Sequence, residues 1–186
     1  LLKLEEYNKS LDDFTRFISN ATINDNQKFT AHLSRGMAKY KLNDYTGALI
    51  DFNKTIELNP AKLIAYGYRG MTHYMLQEYN LSLNDLSIGI ESRELSNKLY
   101  LYRGIAKSNL YNFNEALVDI NTYLVRSETN QNLFEVYVQR AIIFYNLNLY
   151  NDALKDLNKA IELNPSSGVA YMHRANISRI LQNYNE

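Results

Sequence analysis

An arginine followed by a small residue returns along this chain at a nearly fixed step. Arg35-Gly36 recurs as Arg69-Gly70 and Arg103-Gly104, then as Arg140-Ala141 and Arg174-Ala175, and the small residues are 34, 34, 37 and 34 apart. Ala48, Ser82, Ala116 and Ala153 each follow the small residue by 12, and Tyr45, Tyr79, Phe113 and Tyr150 stand three residues before them. The decapeptide from Asp51 to Pro60 nearly recurs from Asp156 to Pro165. A unit this short cannot bury its own apolar stripe, so neighbouring units must stack to complete a core. The period therefore excludes a fold built around one closed core.

Each unit reads as two helices. Phe29 to Lys41 and Tyr45 to Leu58 carry small, aromatic and aliphatic residues at three- and four-residue spacing. Asn43 and Asp44 supply the turn between them. Pro60 and Pro165 stop second helices.

With Phe29 as position 1, the first full unit has Gly36 at 8, Tyr45 at 17, Ala48 at 20, Phe52 at 24, Thr55 at 27 and Pro60 at 32. Counted from Phe134, the fourth adds Tyr137 at position 4 and supplies Ala141, Tyr150, Ala153, Leu157, Ala160 and Pro165. The second and third begin at Leu63 and Asn97, with Glu94 and Glu128 in place of Pro. This pattern resembles the tetratricopeptide repeat over nearly the whole chain. The resemblance implies an all-α, right-handed superhelical solenoid of antiparallel helix pairs, with a concave side lined by first helices. The expected organisation is one array over 1–186. In it, 1–28 is the second half of a repeat plus a loop, 29–62, 63–96, 97–133 and 134–167 are full repeats, and 168–186 is the first helix of another. Residues 7–19 read as the second helix at the start, and Gly168 to Tyr184 as the first helix at the end, so the chain reads as a fragment of a longer array. Two joints are irregular: Asn20 to Lys28 is a long link, and the third repeat has three extra residues around Ser127 to Asn132 with Tyr123 in a small-residue position. A longer second helix, a change of pitch or a surface insertion would each accommodate the latter.

Charge repeats in phase too. Arg35, Arg69, Arg103, Arg140 and Arg174 hold position 7, while Asp13, Asp51, Asp85, Asp119 and Asp156 hold position 23. Pairing within a repeat would leave Asp13 and Arg174 over; pairing Asp51 with Arg69 of the next repeat would use all ten. Both suit bidentate Arg–carboxylate geometry, and a structural ladder is favoured over an acidic-ligand grip.

Chemistry is sparse. There is no Cys, and His32, His73 and His173 have no partners at metal-ligand spacing. No glycine-rich phosphate loop or nucleophilic triad can be drawn, so no enzyme activity, cofactor or metal is expected. Lys plus Arg and Asp plus Glu are 20 each, a zero balance that argues against nucleic acid as a partner. No apolar run approaches the ~18 residues of a membrane span, and no signal-peptide pattern opens the chain. In a fragment of a longer array the termini tell nothing about targeting, so the compartment is left open, with the cytoplasm only a default.

The informative surface is the inner one. Positions 4, 8 and 11 turn toward the second helix, and positions 2, 5, 6, 9, 12 and 13 toward the concavity. These give Leu33, Met37, Tyr40, Tyr68, Met71, Tyr74, Met75, Tyr102, Ile105 and Tyr145 as the expected partner-binding groove. A Met- and Tyr-rich stripe suits a protein or peptide partner with hydrophobic or aromatic anchors. Some members of the family it resembles clamp the acidic C-termini of heat-shock chaperones. At the corresponding sites here, Leu33, Met37, Lys98, Tyr68 and Tyr102, only Lys98 agrees, which disfavours that ligand. The function expected is a non-catalytic interaction scaffold. Self-assembly into a homo-oligomer, and a regulatory repeat domain attached to an enzyme in a longer chain, are the alternatives.

Overall fold

The structure, a computed structural model, describes residues 2–20, 22–92, 95–127 and 133–183. Every regular element among them is helical: α1 (Leu2–Ile18), α2 (Asp25–Lys41), α3 (Tyr45–Leu58), α4 (Ile64–Met75), α5 (Tyr79–Gly89), α6 (Ser96–Asn109), α7 (Phe113–Arg126), α8 (Leu133–Asn146), α9 (Tyr150–Leu163) and α10 (Gly168–Asn183). None is long and apolar enough to cross a membrane. The chain divides into two compact units, Leu1–Tyr102 and Arg103–Glu186, with the division inside α6.

The turns within pairs share one device. Asn43, Gln77, Tyr111 and Asn148, the fifteenth residue of each repeat, all adopt left-handed backbone with φ of 61, 62, 62 and 59°. One such residue reverses the chain in three positions. Asp44 then caps α3 by accepting the Gly47 amide at 2.9 Å.

Within a pair the helices touch where the sequence is small. A Cβ on Gly36 would lie 2.7 Å from the Phe52 ring, and one on Gly104 2.9 Å from Ile120. Ser82 donates its hydroxyl to the Gly70 carbonyl at 2.9 Å. Ala48, Ala116 and Ala153 are fully buried. In the first unit Tyr40, Phe52, Met71, Leu86 and Leu99 form one core cluster; in the second, Val138, Leu157, Ala160, Ala170 and Ile177 belong to another.

Three expectations about the joints change. The link from Asn20 to Lys28 is shorter than expected, because α2 begins at Asp25. Asn24 accepts the Gln27 amide while the Gln27 side chain accepts the Asn24 amide, both at 2.9 Å, a capping box that adds a turn. The first helix begins at Leu2 rather than residue 7. The second helix of the third repeat is not lengthened: α7 has 14 residues, as α3 and α9 do. Its extra residues follow α7, where 128–132, like Glu94 and Tyr184, lie outside the described residues.

The arginine ladder closes within repeats. Arg35 reaches Asp51 at 2.7 Å, Arg69 reaches Asp85 at 2.6 Å, Arg103 reaches Asp119 at 2.7 Å and Arg140 reaches Asp156 at 2.6 Å. The remaining Nη1 reaches back to the preceding repeat: Arg35 to Thr15 at 3.1 Å, Arg69 to Asn53 at 2.8 Å, Arg140 to Asn121 at 2.8 Å and Arg174 to Asn158 at 2.9 Å. Of the two pairings the sequence allows, the one within a repeat forms, and the one between Asp51 and Arg69 does not. The carboxylate belongs to the same repeat, and a neutral side chain at position 25 joins it to the previous one. Desolvation pushes the buried Asp51 carboxyl up, but hydrogen bonds from Arg35, Lys39 and His32 outweigh it and hold it below the ordinary value of 3.8.

Candidate functional site

In the first unit, tyrosines from three successive first helices meet. Tyr40 on α2 and Tyr102 on α6 bring their hydroxyls to 3.3 Å. Tyr74, on the intervening first helix α4, has its ring edge-on to Tyr102 with centroids 5.0 Å apart. Each position-12 tyrosine also packs against the position-17 tyrosine opening its partner helix: Tyr40 on Tyr45 at 5.7 Å and Tyr74 on Tyr79 at 6.0 Å. Tyr68 stacks on Phe52 at 5.7 Å. Such offset and edge-on contacts hold the rings rigid.

Position in the register set direction better than it set exposure. Met71 is only 1% exposed and sits in the core with Phe52, Leu86 and Leu99, so it is not a groove contact. The reason is tertiary: the first helices flanking α4 close over position 9. Tyr40 is buried as well, and forms the floor of the cluster rather than a protruding anchor. Leu33, Met37, Tyr68 and Tyr102 are half-buried against the same core, and Tyr74 is half-buried. Met75, at 39%, is the more exposed member. A cavity of about 240 Å³ beside the cluster is lined by Met37, Tyr40, Lys41 and Tyr68 with Tyr7 and Phe14 of α1.

Electrostatics refine the site. Burial, then the hydrogen bond with Tyr102, pushes the Tyr40 hydroxyl pKa far up, and burial raises that of Tyr74. Both rings therefore stay neutral donors throughout the physiological range. Lys98 holds its Nζ 5.5 Å from the Tyr102 ring centroid. Desolvation, then repulsion from Lys41, holds Lys98 below the ordinary lysine value of 10.5. Lys41 holds position 13 of the first repeat, on the inner face, where an apolar stripe does not single out a lysine.

The two expected residues of the second unit stand apart. Ile105 is half-buried. Tyr145, 41% exposed and packed on Tyr150 at 5.8 Å, lines a cavity of about 410 Å³ with Ile142, His173 and Asn176. Among the described residues no group of three or more His, Asp or Glu could hold a metal ion. His32 instead hydrogen bonds Asp51 at 2.8 Å, and His73 bonds Glu78 at 2.6 Å.

Residues 29–62 and 134–167 each match a family model of the tetratricopeptide repeat. No curated protein matches the chain. Among solved structures it is similar to YrrB, a tetratricopeptide-repeat protein with an unusual peptide-binding site, at 17% identity and a TM-score of 0.75 over 94% of this chain and 87% of that one. It is similar to MamA residues 41-end from Desulfovibrio magneticus RS-1, at 16% identity and a TM-score of 0.72 over 90% of each chain. MamA from MSR-1 gives 20% identity and 0.71 over 88% and 90%. At these identities the likeness is one of fold.

Proposed function

The chain belongs to the tetratricopeptide-repeat family, whose helix-pair scaffolds serve protein–protein interaction, and we propose that its first unit receives an extended segment or helix of a partner protein on the Tyr40–Tyr74–Tyr102 cluster. The observation that carries this reading is that three successive first helices deliver tyrosines into contact, through the 3.3 Å hydroxyl pair and the 5.0 Å edge-on pair. Rings fixed this way cost little conformational entropy on binding and offer both an apolar face and a hydroxyl. Met37, Tyr68, Tyr74, Met75 and Tyr102 are the contacts assigned to the partner, with Tyr40 as their support. Leu33 borders them, and Ile105 and Tyr145 would extend binding only in the second unit. That YrrB has a peptide-binding site on the same fold supports a peptide as occupant.

Lys98, the one residue that agrees with the chaperone-clamp pattern, holds its ammonium over the Tyr102 ring, and the apolar and aromatic side chains of Met37, Tyr68 and Tyr102 at the other clamp sites favour apolar or aromatic anchors over an acidic C-terminus. The role is non-catalytic. A peptide selected from a random display library against the 186-residue chain provides the test. Alanine at Tyr68, Tyr74 and Tyr102 together, and Met75→Glu separately, are expected to weaken its capture at least tenfold. The exposed Met75 position keeps the test independent of packing losses. Undiminished capture by Met75→Glu and by the triple variant, with helical content intact, overturns the assignment.

A further inference from the structure

The buried aspartate at position 23 takes a second cation wherever position 11 supplies one. In the first repeat Lys39 at position 11 joins Arg35 on Asp51, with its Nζ at 2.8 Å, and in the third Lys107 joins Arg103 on Asp119 at 2.7 Å. In the fourth, position 11 is Phe144, whose ring lies 5.6 Å from the Arg140 guanidinium carbon and brings no charge. In the second repeat the residue there is His73. Its Nε2 stands 3.8 Å from the Asp85 carboxylate that Arg69 holds at 2.6 Å, and its Nδ1 meets Glu78 at 2.6 Å.

The half-buried ring thus has one carboxylate at each nitrogen. A neutral imidazole donates from one nitrogen only. With its proton on Nδ1 for Glu78, it turns a lone pair toward Asp85, and 3.8 Å is too long for a hydrogen bond. An imidazolium donates from both nitrogens and gives Asp85 the second cation that lysine gives Asp51 and Asp119. Among the described residues no other ionisable side chain pairs with the ring. On α4 the other charged residue is Arg69, already on Asp85. On α3, Asp51 is taken by Arg35, Lys39 and His32, and Lys54 pairs with Glu57 at 2.6 Å. Lys41 of α2 repels Lys98 of α6, which lies over Tyr102, and Arg103 and Lys107 of α6 are held by Asp119.

We propose that His73 is a pH-responsive clamp on the α4–α5 pair: the protonated ring holds Glu78 and Asp85 together, and the neutral ring leaves Asp85 to Arg69 alone. Charging the ring favours the folded chain, where two carboxylates face it, over the unfolded one. This stabilisation is therefore present in mild acid and fades as pH rises. It runs opposite to the contribution of Asp51, which is lost in stronger acid. The clamp spans the same turn as the Tyr74–Tyr79 ring pair at 6.0 Å, so it also stiffens the support under Tyr74. His73, Glu78, Asp85 and Arg69 all belong to one full repeat. The inference does not depend on the tyrosine cluster binding a partner.

Thermal unfolding of the 186-residue chain, of His73→Gln and of His73→Lys, each at about pH 8 and about pH 6, is the test. His73→Gln never carries the charge, and His73→Lys carries it at both pH values, with a side chain that reaches the aspartate in two other repeats. Measured against His73→Gln, the midpoint of the unsubstituted chain is expected to rise by about 2–4 °C from the higher pH to the lower. Taking the difference removes what His32 and His173 contribute, since all three chains share them. His73→Lys is expected to keep a higher midpoint than His73→Gln at both pH values. An unsubstituted chain whose midpoint tracks that of His73→Gln at both pH values overturns the proposal. So does a His73→Lys chain that melts no higher than His73→Gln while staying helical by circular dichroism.

Discussion

Arg69 holds Asp85 through Nε at 2.6 Å and Nη2 at 2.8 Å while its Nη1 crosses to Asn53 at 2.8 Å. One guanidinium thereby ties α4 to its partner α5 and to α3 of the preceding repeat. Asp85 is buried and Asn53 exposed, so their removal should differ in size. Asp85→Asn strips the charge that Arg69 faces and is expected to cost about 3–5 kcal/mol. Asn53→Ala loses one hydrogen bond at the surface and costs about 1 kcal/mol or less. Urea denaturation of both variants measures the ratio; equal losses would show that the fork does not distinguish the two partners.

Acid should loosen the first unit through Asp51. Its folded-state pKa lies below the ordinary value of 3.8, so the charged form favours the folded chain. That stabilisation is complete above the unfolded-state value and disappears as pH falls through the folded-state value. Thermal midpoints are therefore expected to drop steeply below about pH 4. Asp51→Asn should melt lower at neutral pH and show a flatter acid limb.

Two glycines should answer oppositely to alanine. A Cβ on Gly89 would lie 2.6 Å from the Gly67 backbone, which has no side chain to move aside. Gly89→Ala is expected to cost about 1–3 kcal/mol by forcing α5 from α4. Gly168 has nothing within 4 Å of the same position, so Gly168→Ala should be neutral or slightly stabilising. Thermal melts of the two variants check both signs.

Tyr111 occupies a left-handed turn at φ 62°, where two of the other repeats have Asn, and is 81% exposed. Its edge-on contact with Phe113, at 6.0 Å, lies on the surface. Tyr111→Asn should remove backbone strain and stabilise the chain by about 1 kcal/mol. A lower melting temperature would mean that the Phe113 contact outweighs the strain.

The fold was legible wherever the reason for a residue recurs every repeat. Gly36 and Ala48 announce a close helix contact, and Asn43-Asp44 a turn and cap, without reference to any neighbour. The capping box at Asn24 and Gln27 has a sequence signature too, but it occurs once, so no recurrence marks it off from the link around it. The Nη1 contacts have a signal in Thr15, Asn53, Asn121 and Asn158, polar residues two positions after an Asp, but these are neutral and so invisible in the charge pattern. Exposure was the illegible part. Met37 and Met71 share position 9, yet Met71 is buried and Met37 half-buried, because Met71 lies on a first helix flanked by two others. A pattern within one repeat records which way a side chain points, not how far the adjacent repeats close over it.

The tyrosine cluster is tested most directly by mapping amide and side-chain NMR shifts of the 21.6 kDa chain during titration with a library-selected peptide. Shifts concentrated at Met37, Tyr68, Tyr74, Met75 and Tyr102 are the predicted result. Saturable binding whose shifts fall on the outward faces of α3 and α5, with those five residues unmoved, would contradict it.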